Sequence, residues 1–128
     1  MIVDTSAIVA IVFREPGFET LLKKLSESTA TAIGAPTLLE AAIVLSARLE
    51  RDARSMLAEV IAEFHMVEVP FGEVHWREAV RAHLRFGRGR HPANLNYGDC
   101  VTYAVASLAA EPLLFAGEDF AATDLIAA

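Results

Sequence analysis

The sequence predicts an α/β fold, a three-layer α/β/α sandwich with a central, mostly parallel sheet. Short apolar runs of strand length alternate with longer segments whose apolar residues recur every three or four positions, the pattern of strands joined by crossover helices. The 128 residues suit one core, because soluble domains cluster near roughly 100–150 residues. A hydrophobic fraction of 54% exceeds the roughly 45–50% of average globular chains, so that core should be well filled. One domain over residues 1–128 is expected.

Residues 1–4 read as a short apolar strand ending at Asp4, and 5–13 as a helix rich in Ala and Ile. Beyond Glu15-Pro16-Gly17, the residues Phe18, Leu21, Leu22 and Leu25 recur at helical spacing. Residues 30–33 form the second strand. Gly34-Ala35-Pro36-Thr37 then separates it from a helix over 38–49, which puts Glu40 in a first helical turn. A helix over 52–64 carries Leu57, Val60, Ile61 and Phe64 on one face, and a strand over 66–69 stops at Pro70. Residues 73–86 are helical. The loop Gly87-Arg88-Gly89-Arg90-His91-Pro92-Ala93-Asn94 leads to Asn96-Tyr97-Gly98-Asp99 at the mouth of a helix over 100–109. The last strand covers 113–115, with Gly117, Glu118, Asp119 and Phe120 past its end.

Seventeen acids against eleven bases give a net charge of −6, which excludes broad nonspecific affinity for nucleic acid and confines any such contact to a local patch. Arg14 and Glu15 interrupt the N-terminal apolar run well short of the roughly 20 residues a spanning helix needs. No membrane association is expected, and with no leader pattern at the N-terminus a cytoplasmic location is expected. The lone cysteine, Cys100, has no partner for a disulfide or a C-x-x-C pair, and reads as a small buried residue on a helix.

Four acids occupy comparable places: Asp4 ends a strand, Glu40 and Asp99 open helices, and Asp119 follows the last strand. All four should face one end of the sheet, beyond the strand carboxyl ends where ligands collect. For Glu40 and Asp99 there is an alternative, complementing a helix N-terminus for about 0.3–1 kcal/mol. Asp4 is harder to explain that way, because Asp is depleted in strands. Clustered carboxylates repel by a few kcal/mol per close pair, on the order expected at an effective dielectric near 20. Hard divalent cations relieve that repulsion, and a site of this kind hydrolyses phosphodiesters by acidifying a bound water. The lack of a Cys/His ligand set argues against zinc.

Thr5 and Ser6 carry hydroxyls beside Asp4 that can bond its carboxylate or cap the first helix, and Ser6 is the chosen supporting residue. Asn96 is a second supporting residue, and Tyr97 beside it reads first as a packing residue. Arg77, Arg81 and Arg85 recur every four residues and, with Arg88, Arg90 and His91, offer a basic stripe for nucleic-acid backbone phosphates. The competing reading is a solvated helix face partly neutralised by Glu73 and Glu78. Trp76 lies among charged residues, where half-buried packing competes with stacking on a base.

Together, Ile2-Val3-Asp4-Thr5-Ser6-Ala7, Pro36-Thr37-Leu38-Leu39-Glu40, Leu95-Asn96-Tyr97-Gly98-Asp99-Cys100 and Leu114-Phe115-Ala116-Gly117-Glu118-Asp119-Phe120, with Thr123-Asp124, resemble the successive motifs of VapC-type PIN-domain toxins. The resemblance spans essentially the whole chain. It implies a PIN-like fold and a magnesium-dependent endoribonuclease, with manganese as a possible substitute. It also implies a homodimer, inhibited by a cognate antitoxin laid across the active-site groove. On this basis Asp4, Glu40 and Asp99 match the three core metal-binding acids and Asp119 the fourth, with Glu118 and Asp124 as alternatives. The apolar Leu38, Leu39, Ile43, Leu45 and Leu49 suit either such contacts or the core. A haloacid-dehalogenase-like phosphotransferase is disfavoured because Ser6 stands where its second Asp would be, and a receiver domain because both lysines, Lys23 and Lys24, lie early. The remaining alternative is a noncatalytic module of the same fold that sequesters a partner or RNA.

Overall fold

Residues 1–128 are described by a computed structural model. The chain runs β1 (Ile2–Val3), α1 (Thr5–Val12), α2 (Phe18–Glu27), β2 (Ala32–Gly34), α3 (Ala35–Leu49), α4 (Arg54–Glu63), β3 (Val67–Val69), α5 (Glu73–Phe86), α6 (Tyr97–Ala109) and β4 (Leu113–Leu114). The strands form one sheet in the order β3-β2-β1-β4, and every pairing is parallel.

The alternation of side chains along such short strands builds the three layers. Val3, Ile33 and Leu114 point into a core completed by Ile8, Leu25, Ala41, Leu45 and Leu57 of α1 to α4. Their neighbours Ile2 and Leu113 point the other way, onto Phe86, Leu95, Cys100, Tyr103 and Val105 of the α5–α6 side. Ile2 pairs with both Ala32 and Leu113, so β1 sits inside the sheet. The chain advances from β1 to β2 and β3 on one side, then returns to place β4 on the other. The switch point therefore falls between β1 and β4, the position where parallel sheets leave a crevice beyond their carboxyl ends.

Two helix starts differ from the sequence expectation. α3 begins at Ala35 directly after β2, with Pro36 in its first turn, where a proline loses no hydrogen bond and its fixed φ suits the helix. Glu40 consequently lies in the second turn rather than the first. α6 begins at Tyr97 rather than Cys100, which takes Asp99 into the helix. No helix is long and apolar enough to cross a membrane.

Candidate active site

Asp4 emerges from the carboxyl end of β1 and is only 4% exposed. It is itself the N-cap of α1, accepting from the Ser6 backbone N–H at 3.0 Å. The cap is thus neither Thr5 nor Ser6, the residues read from sequence as possible caps, because β1 ends at Val3 and the helix already begins at Thr5, which leaves Asp4 as the capping position. The Ser6 hydroxyl donates to the same oxygen, Oδ2, at 2.6 Å and accepts from the Ala116 N–H at 3.0 Å. One hydroxyl thereby ties the end of β1 to the chain leaving β4. Thr102 of α6 donates to the other oxygen, Oδ1, at 2.8 Å. Its only proton being committed, the Thr102 hydroxyl accepts from Thr37 Oγ1 at 3.2 Å. Both oxygens of Asp4 are therefore held in fixed positions by α1 and α6.

Asp99 and Asn96 close the first turn of α6 reciprocally: Asn96 Oδ1 accepts from the Asp99 N–H at 2.9 Å and Asp99 Oδ2 from the Asn96 N–H at 3.0 Å. This capping box accounts for one carboxylate oxygen. Burial pushes the Asp99 carboxyl up to about 6, against the pull of the Asn96 N–H, and the charges of Asp119, Asp4 and Glu40 raise it further. Glu40 reaches across from α3 to lie against Gly98, where a Cβ would collide with its carboxylate. The absence of a side chain at Gly98 admits a negative charge to the positive end of α6.

These acids share one open cleft of about 420 Å³, whose lining includes Asp4, Ser6, Glu40, Asn96, Asp99 and Gly117. It sits beyond β1 and β4, at the switch point. Asp119 is exposed in the turn after β4 and acts on Asp99 through its charge. Of the alternative fourth acids, Glu118 is not among the charges that raise Asp99. Asp124 faces elsewhere, accepting from the Tyr103 hydroxyl at 2.7 Å and from Arg85 at 3.0 Å. Those bonds, Tyr103 foremost, hold Asp124 below the usual carboxylate range. Thr37 and Thr102 were not singled out in the sequence; the only signal was Thr102 lying three residues after Asp99, one helical turn on. Glu15 also borders the cleft, its charge met by Arg48 at 2.8 Å.

The basic stripe divides into two parts. Arg77 pairs with Glu73 at 2.9 Å, Arg81 with Glu78 at 2.9 Å and Arg85 with Asp124 at 3.0 Å. Arg88 and Arg90, exposed in the following loop, make no ion pair. The donors offered at the cleft are all oxygen, which suits a hard divalent cation rather than zinc. As they stand, no three His, Cys, Asp or Glu side chains close around an ion. Magnesium does not require such a cage, since it keeps several of its waters and binds through one or two carboxylates.

The PIN domain family model matches residues 1–125. The chain belongs to the PIN domain family. Its relatives include Ribonuclease VapC36 of Mycobacterium tuberculosis, 44% identical over 126 residues covering 98% of this chain and 91% of that one. Ribonuclease VapC of Mycolicibacterium smegmatis is 38% identical over 130 residues, covering 99% and 98%. Among solved structures, the M. tuberculosis toxin VapC20, described as cleaving the sarcin-ricin loop, superposes with a TM-score of 0.79 at 16% identity, covering 99% of this chain and 97% of that one. A toxin–antitoxin complex from Klebsiella pneumoniae gives 0.72 at 16% identity, covering 99% and 95%. At that identity the two structures speak for the PIN fold alone, and the three-layer architecture read from the sequence is that fold.

Proposed function

We propose that this PIN domain is an endoribonuclease toxin that hydrolyses RNA phosphodiester bonds at the cleft between β1 and β4. The observation that carries the reading is the meeting of Asp4, Glu40 and Asp99, from three separate elements, at one cleft. Burial is the main cause that raises the Asp99 carboxyl, and the charges of Asp119, Asp4 and Glu40 add to it. Relatives with 38–44% identity that are named ribonucleases support it.

Asp4, Glu40 and Asp99, with Asp119 at the rim, are the residues that would hold magnesium, or manganese in its place. When bound, such an ion supplies an acidified water as nucleophile and neutralises charge developing on the phosphate. The chain's own part is positional. Ser6 and Thr102 fix both oxygens of Asp4, so its charge faces the cleft without reorganising during reaction. Asn96 orients Asp99 through the capping box and has its amide N–H₂ available to the substrate. Arg88 and Arg90, with Arg77, Arg81 and Arg85 behind them, supply contacts for RNA phosphates. By analogy with the Klebsiella toxin–antitoxin complex, the activity would be held in check by a cognate antitoxin. The exposed Leu39 and Ile43 of α3 offer apolar surface for that partner or for a homodimer.

The decisive experiment is RNA cleavage by purified Asp99→Asn, nearly isosteric but uncharged, in magnesium. Loss of cleavage with an unchanged circular dichroism spectrum is expected. Cleavage at the wild-type rate would remove Asp99 from the chemistry. If the wild type itself binds RNA but leaves it intact, the chain is instead a noncatalytic module.

A further inference from the structure

Beside the carboxylate cleft, α5 and α6 enclose a second pocket of about 490 Å³, within the roughly 300–1,000 Å³ of small-molecule sites. Its walls include Phe71, Trp76, Val80, Tyr97 and Val101, and Arg88 stands among them. It is continuous with the acids through two residues. Asn96 lines both this pocket and the cleft of Asp4 and Asp99. Tyr97 lines both this pocket and the small crevice at Glu40.

Three aromatic rings, a cation and a shared amide make an unusual combination for surface left over from folding. Tyr97 is 86% exposed and Trp76 is 49% exposed, so neither is consumed by the core. The Arg77 guanidinium lies 4.6 Å from the Trp76 ring centroid, which adds positive charge to one side of the indole. Arg88 is one of the two arginines of the stripe region with no acidic partner. A second copy of this chain, with its net charge of −6, is the competing occupant. A nucleotide brings both a flat π face and an adjoining phosphate.

We propose that this pocket receives one unstacked base of a single-stranded RNA segment, next to the phosphodiester presented to the carboxylates. Trp76 and Tyr97 would stack on the base, Asn96 would donate its amide to the base edge, and Arg88 would meet the neighbouring phosphate. The inference rests on the ribonuclease reading for the identity of its ligand, and it names the form of RNA taken: a strand with a splayed base, rather than an intact duplex.

Trp76 is the only tryptophan in the chain, so its emission reports on the pocket. The test titrates the full chain, without divalent cation, with a short oligoadenylate and with an abasic ribose-phosphate oligomer of equal length and charge. Quenching by the oligoadenylate is expected, with binding about tenfold tighter than the abasic chain, the scale of one base–aromatic stack. Ala79→Leu, which fills the pocket, and Tyr97→Ala, which strips an exposed wall, should each bring the two oligomers to equal affinity. Thermal melting checks that both variants fold. Equal affinities and no base-dependent quenching in the wild type overturn the proposal. So does an emission that changes on dilution of the protein alone and is abolished with the dimer by Ala79→Leu, which would assign the pocket to an interface between copies. Because no cation is present, the titration is independent of cleavage. Cleavage by the wild type in magnesium without base-dependent quenching sinks this inference alone, and base-dependent quenching without cleavage sinks the nuclease reading alone.

Discussion

Thr102 shows how much one buried hydroxyl contributes. It donates to Asp4 and accepts from Thr37, and it is itself 1% exposed. Thr102→Val keeps the shape but leaves a buried carboxylate oxygen and the Thr37 hydroxyl without that partner, a cost of about 1–2 kcal/mol. Urea denaturation should register that loss, and RNA cleavage should fall with it, while Thr102→Ser restores both. Asp99 works in the opposite sense. Its carboxyl is raised from 3.8 to about 6, so the folded chain holds that proton more tightly than the unfolded chain does. The stability this confers is fully present below 3.8 and is lost as pH rises through about 6. Asp99→Asn keeps an acceptor for the Asn96 N–H and has no charge to bury. It should be more stable than the wild type at about pH 7, by about 1 kcal/mol once solvent screening of this partly exposed group is allowed for. The advantage should shrink in paired denaturation curves as pH falls through about 6 toward 3.8, below which both states are protonated. A constant difference across that range would show that Asp99 is not the strained acid.

At the scale of elements, the close approach of α3 and α6 decides where Glu40 goes. Gly98→Ala places a methyl group where the Glu40 carboxylate lies, yet alanine is the better helix former by about 1 kcal/mol. The expected result is a melting temperature equal to or slightly above the wild type together with reduced RNA cleavage. A variant with wild-type activity would show that Glu40 does not need that position. α5 presents a different case. Its arginines recur at helical spacing, but the structure neutralises each of the three with an acid. Replacing Arg88 and Arg90 with Ala should lower the salt dependence of single-strand binding by about 0.7 per lost phosphate contact, about 1.4 for both. An unaltered slope would return RNA binding to the helix itself.

For the molecule as a whole, the sheet gathers acids from distant parts of the sequence that repel one another. A divalent cation bound only by the folded chain should therefore raise Tm in proportion to the logarithm of its concentration above the dissociation constant. The rise should exceed that given by sodium at equal ionic strength, be smaller in Asp99→Asn, and diminish as pH falls below about 6, where Asp99 takes up its proton. Scanning fluorimetry in magnesium and in sodium makes the comparison. Equal shifts in the two salts would mean that the cleft holds no specific cation.

The order of elements, the three layers and the positions of Asp4, Glu40 and Asp99 near chain turns were legible from periodicity alone, because side-chain alternation and helical repeat are local properties. The sequence also placed Ser6 beside Asp4, since adjacency along the chain guarantees proximity. Local signals misplaced the start of α3, because Pro36 looked like a breaker when it was a first-turn residue, and that of α6, whose first turn contains Gly98. Only the tertiary structure decided which hydroxyls hold Asp4, as Thr37 and Thr102 lie 65 residues apart and meet through packing of α3 on α6. It likewise decided which arginines are already paired and that Asp124 turns to Tyr103. Those outcomes depend on side-chain distances set by the sheet order, where β4 returns beside β1, and no pattern within one segment records what lies across from it.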